Sequence, residues 1–96
     1  MRPSERLDLH RERIREIVAE RGHSNVRVFG SVARGEDDEI SDVDLLFDPG
    51  PTLTLFSLAR LQKDIQDVLG VDVDLRTPST LPDRMRERVL KEAIAL

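Results

Sequence analysis

Cysteine is absent, which removes disulfides, thiol nucleophiles and cysteine-ligated zinc together. The two histidines, His10 and His23, are too few and too far apart for a histidine-rich metal site, and neither is assigned a role. Tyrosine and tryptophan are also missing and only three phenylalanines occur, so the aromatic stacking platforms of single-strand nucleic-acid binders are lacking. No apolar run approaches the ~18 residues of a membrane span, and the opening MRPSERLDLHRERIRE has no signal-peptide apolar core. These absences point to a cytoplasmic-type globular protein with no membrane association. A chain of 96 residues accommodates a single domain, residues 1–96, with little room for an enclosed substrate pocket.

The net charge of −4 conceals a segregation. Residues 36–48 hold Glu36, Asp37, Asp38, Glu39, Asp42, Asp44 and Asp48 with no base among them. The bases near the end, Arg84, Arg86 and Arg88, recur every second residue, so a helix spreads them around its surface. Such a distribution disfavours direct nucleic-acid binding, which needs a basic field along the phosphates. An uncompensated acidic centre suits divalent cations, or is a solvated loop, as Glu36 to Glu39 read.

Hydrophobic spacing predicts a helix from Ser4 as cap to about Arg21, with Leu7, Ile14, Ile17 and Val18 on one face and Gly22 as its stop. Val26–Phe29 reads as a short strand, Ser31–Gly35 as a turn or two of helix, and Ser41–Asp48 as a second strand. A helix capped by Thr52 or Thr54 follows, with Leu55, Leu58, Leu61, Ile65 and Val68 inward and Gly70 ending it. Val71–Arg76 alternates as a third strand, and a last helix runs from about Pro82 to Ala95 with Met85, Val89 and Ile94 inward. The order αβ(α)βαβα describes an α/β sandwich of three strands under helices, the second sheet face carrying polar residues. The direction of strand pairing is not legible at this level.

Chemistry concentrates in FGSVARGEDDEISDVDLLFD, residues 29–48. Gly30-Ser31 closes a strand and opens a helical turn whose free N–H groups can hold a phosphate, although many structural turns carry the same pair. Asp42 and Asp44 occupy positions i and i+2 of a strand, so both carboxylates leave the same face roughly 6.5 Å apart. They repel unless a cation lies between them, and Mg²⁺ favours one or two carboxylates plus phosphate oxygens; the alternative is a solvent-facing acidic strand. Asp72 and Asp74 repeat the arrangement on the third strand. If the two strands are neighbours, four carboxylates crowd one face, and two metal ions would relieve them.

Taken together, G-S-x-A-R-G-x5-S-D-x-D-L, Gly30 to Leu45, resembles the signature of the DNA polymerase β-type nucleotidyltransferases, and within them the minimal nucleotidyltransferases, the MntA-like antitoxins. The resemblance spans nearly the whole chain. It implies an α/β nucleotidyltransferase fold with a three-stranded mixed sheet flanked by helices. It also implies Gly30 and Ser31 as the grip on the nucleotide phosphates, with Arg34 supporting the triphosphate or holding the loop. Asp42 and Asp44 match the metal-binding pair, and Asp74 the third acid, which helps hold the metal or accepts the hydroxyl proton; Asp72 competes for that place. The implied activity is Mg²⁺-dependent transfer of AMP from ATP to a tyrosine of a HEPN-domain toxin, with two metal ions expected.

The chain has no tyrosine of its own to modify, and its length leaves no second domain to enclose base and acceptor, so a partner is expected to complete the site. The alternative is a catalytically vestigial antitoxin that neutralises its toxin by binding and occlusion.

Overall fold

The computed structural model describes residues 1–96. Helix α1, Pro3–Glu20, leads through Gly22, which has a positive φ, into strand β1, Ser24–Phe29. Ser4 does not cap α1: the helix begins one residue before it. Its free amides are instead met by carboxylates, Arg2 N–H donating to Glu5 Oε1 (2.9 Å) and Ser4 N–H to Asp37 Oδ2 (2.9 Å). Asp37 is therefore buried, where the 36–39 stretch reads from sequence as wholly solvated.

A five-residue helix α2, Gly30–Arg34, follows β1 directly, and the chain re-enters the sheet as β2, Val43–Asp48. Helix α3, Leu55–Leu69, is capped as expected, with Ser57 N–H donating to Thr54 Oγ1 at 3.0 Å and Gly70 closing it at φ +73°. Leu61, Ile65 and Leu69 are buried, whereas Leu55, at the exposed start of the helix, is 87% accessible instead of inward. Strand β3, Val73–Arg76, is followed by a 3₁₀ turn at Pro78–Thr80 and by helix α4, Asp83–Glu92.

The sheet has four strands where three are expected, in the order β3-β2-β1-β4. The last helix stops at Glu92, and Ile94–Ala95 forms β4, paired antiparallel with Val28 and Arg27. The physical reason is the outer edge of β1, whose backbone groups need partners. Leaving the helix lets Leu96 N–H donate to Val26 O (3.1 Å) and lets Leu96 pack on the main core. Ile94, expected inward, is consequently half exposed.

β1 and β2 run antiparallel while β2 and β3 run parallel, so the sheet is mixed. Val28, Val43, Leu45, Phe47, Val73 and Leu75 face α1 and α3 and form the main core with Leu7, Ile14, Leu61 and Ile65. The opposite face is not simply polar. Phe29 and Leu46 form a second, smaller core there with Leu81 and Val89, joined by Met85. Helix α4 thus lies on the face that carries the acidic residues. No helix is long and apolar enough to cross a membrane.

Candidate active site

Register decides what meets what. Phe29 opposes Asp44 across β1–β2, and Asp44 opposes Asp74 across β2–β3, so the two aspartates stand in one row on the α4 side of the sheet. Asp42 lies just before β2, exposed, yet close enough that its charge acts on Asp44. Burial, then the charges of Asp74 and Asp42, push the Asp44 carboxyl from 3.8 up to about 6, with Arg76 and Arg34 partly offsetting them. Asp44 and Asp74 are therefore brought together in the cleft, while Asp42, exposed and outside the cleft lining, reaches them only through its charge. Asp72 stands apart: it is exposed, precedes β3, and engages β2 through its backbone, its carbonyl accepting Val43 N–H at 3.0 Å.

The glycine turn closes this site from the side. Gly30 has φ +72°, and a Cβ there would collide with Asp44 Oδ2. Only glycine lets the start of α2 sit against that carboxylate. Ser31 and Arg34 line the same cleft of about 310 Å³, with Asp44, Asp74, Arg76, Met85, Arg88 and Glu92. A larger groove of about 570 Å³ lies between α1 and the C-terminal residues, but none of the acids at 42, 44 and 74 borders it.

Three residues of the cleft were not singled out from sequence. Arg76 Nε donates to both oxygens of Asp74, at 3.2 and 3.1 Å. Arg88 turns into the cleft, while its helix neighbour Arg86 folds back to donate to Pro78 O and Leu81 O, both at 3.0 Å. Glu92 accepts Gly30 N–H at 2.9 Å and Arg34 Nη1 at 2.6 Å. Burial alone would raise its carboxyl, but the Arg34 and Gly30 hydrogen bonds outweigh that and hold it below the usual range. Arg34 in turn is held above its usual value by Glu92 first and Glu36 second. The periodicity of the last helix was the available signal for Arg88 and Glu92. Nothing local to them reveals that α4 lies over the acidic face.

The donor set bears on a metal. Asp44, driven to about 6 by burial and then by Asp74 and Asp42, is only partly offset by Arg76 and Arg34, and its hard oxygen donors suit Mg²⁺. As they stand, however, no three acidic or histidine side chains are disposed to ligate a single ion together. Asp74 is turned toward Arg76. Asp44 and Asp74 fit the ion in charge and donor type, and Asp74 is shared with Arg76.

The family profile described as "nucleotidyltransferase domain" matches residues 11–96. The protein adenylyltransferase MntA of Thermococcus cleftensis is 35% identical over 88 residues, covering 92% of this chain and 86% of that protein. A solved structure provisionally named a minimal nucleotidyltransferase superposes with a TM-score of 0.86 at 46% identity, covering 97% of this chain and 95% of that one. A chain of a toxin–antitoxin crystal structure with AMP-PNP matches at TM-score 0.76 and 20% identity, over 88% of this chain and 69% of that one, a likeness of fold.

Proposed function

The chain belongs to the nucleotidyltransferase domain family and is a nucleotidyltransferase; from that premise we propose that it is the antitoxin of a HEPN toxin–antitoxin pair, moving AMP from ATP to a tyrosine of its toxin. The reading is supported by the relative named as a protein adenylyltransferase and by the neighbour described as a toxin–antitoxin with AMP-PNP. The observation that carries it is the seating of the Gly30 backbone against Asp44, with Asp74 in register beside it.

In this reading Asp42, Asp44 and Asp74 would hold Mg²⁺. The ion, when bound, neutralises the triphosphate and eases loss of pyrophosphate. Ser31, at the mouth of the glycine turn, contacts the phosphates with its hydroxyl, and Arg34 offsets their charge. Gly30 contributes by having no side chain, since its N–H is already taken by Glu92. The tyrosine oxygen forms the new bond to the α-phosphorus as the bond to the β-phosphate oxygen breaks, and Asp74 takes the hydroxyl proton. The cleft, about 310 Å³, is open to solvent, so the toxin itself presents the acceptor and completes the enclosure.

The test is transfer of label from α-labelled ATP to the toxin with Mg²⁺ present. Label is expected with the wild type and absent with Asp42→Asn or Asp44→Asn; label that persists in both variants overturns the mechanism. One observation favours the second reading, neutralisation by binding alone: Arg76 engages the third acid. Full neutralisation of the toxin by the Asp42→Asn/Asp44→Asn double variant would establish it.

A further inference from the structure

We propose that Glu92 is a positioning residue for nucleotide binding, locking Arg34 and the Gly30 turn in place from the end of α4; this rests on the nucleotidyltransferase reading above. Its carboxylate bridges two groups in the sequence-distant turn. One oxygen accepts from Gly30 N–H and the other from Arg34 Nη1. The Gly30 amide is the first of α2 and has no partner within that helix, so Glu92 supplies the one it needs.

Arg34 is gripped from two sides, because Nε donates to Glu36 at 3.1 Å while Nη1 donates to Glu92. A guanidinium has five N–H donors. Fixing two of them orients the rest, so the ordering cost that a flexible arginine meets on binding phosphate is already met in the free protein. Arg88 stands one helical turn before Glu92 and lines the same cleft.

A carboxylate beside a phosphate grip could instead act as a competitor that nucleotide must expel. Its surroundings argue against this. The Glu92 side chain is only 16% exposed, and it sits where the adjoining Val89 and Ala93 pack into the second core. Expelling it would strand the Gly30 amide at a partly buried junction. Glu92 stays, and nucleotide meets the donors it leaves free.

The experiment measures ATP affinity with Mg²⁺ by calorimetry for wild type, Glu92→Gln, Arg34→Ala and the double variant, with thermal melts to confirm folding. Glu92→Gln keeps an oxygen for Gly30 but loses the charge that holds Arg34, and is expected to bind ATP about tenfold more weakly. In the Arg34→Ala background the same change is expected to cost nothing further, because Glu92 acts through Arg34. In the nucleotide-free protein, the Arg34 Nη NMR signals should lose their ordered relaxation in Glu92→Gln. Glu92→Asp, which keeps the charge but is too short to bridge, replaces Glu92→Gln in the wild-type background if the latter does not fold, with the same loss of about tenfold expected. Tighter binding by the variant, equal binding, or the same loss in both backgrounds each overturns the proposal. A wild type that binds no ATP overturns the nucleotidyltransferase reading itself, and this inference with it.

Discussion

Replacing Asp44 with asparagine should stabilise the metal-free protein at neutral and alkaline pH. The Asp44 carboxyl is raised from 3.8 to about 6, first by burial and then by Asp74 and Asp42. Between these two values the folded state binds more protons than the unfolded state, so stability falls as pH rises through that window and the full penalty applies above it. A shift of this size corresponds to a ceiling of about 3 kcal/mol. Asp44 is only half-buried, and solvent screening reduces the figure to about 1 kcal/mol. For a domain of this size that is a melting-temperature gain of about 4–8 °C. The assay is thermal unfolding in EDTA from pH 4 to pH 8.5, wild type against Asp44→Asn. The variant's advantage should be near zero at pH 4 and complete by about pH 7. A variant that is less stable at pH 8, or a gain independent of pH, would refute the electrostatic reasoning. With Mg²⁺ and ATP the wild type should gain melting temperature and Asp44→Asn should not; equal gains would place the ion elsewhere.

Gly30→Ala and Gly35→Ala make a matched pair, since both sites have φ +72° but only Gly30 faces an obstacle, Asp44 Oδ2. Urea unfolding should give about 1 kcal/mol for the strained backbone at Gly35 and about 2–3 kcal/mol at Gly30; equal losses would mean that the turn does not press on the acid. Asp37→Ala should cost about 1–2 kcal/mol by leaving Ser4 N–H at the start of α1 without its acceptor. The Asp37 carboxyl is held below 3.8, since the Ser4 and Arg2 contacts outweigh the burial that would raise it. Its contribution is therefore present above that pH and lost on acidification, opposite in sign to Asp44, and a loss that persists unchanged at pH 3 would contradict it.

Different parts of the site differ in how far they can be read along the chain. Gly30, Ser31, Arg34, Asp42 and Asp44 lie within fifteen residues, and their relation is local: a turn, a helix start and an i, i+2 pair at the start of β2, with Asp42 just outside the strand. Asp74 is distant, and it was separable from Asp72 only through the family resemblance, since both have the same alternation. The parallel register makes the distinction physical by setting Asp74, not Asp72, opposite Asp44. Asp37 reads as one more acid in a polar loop, because its partner, the amide of Ser4, lies 33 positions away.

Local spacing alone thus determined the helices, three of the strands, the main hydrophobic face and the acidic pair, because each depends on the periodicity of one short segment. Tertiary structure decided the rest. The edge of β1 drew Ile94–Ala95 out of the last helix into a fourth strand, and the burial of Val89 laid α4 over the acidic face. Only that packing brings Arg88 and Glu92 to a glycine turn some sixty residues earlier, because a hydrogen bond between distant segments has no periodicity to announce it.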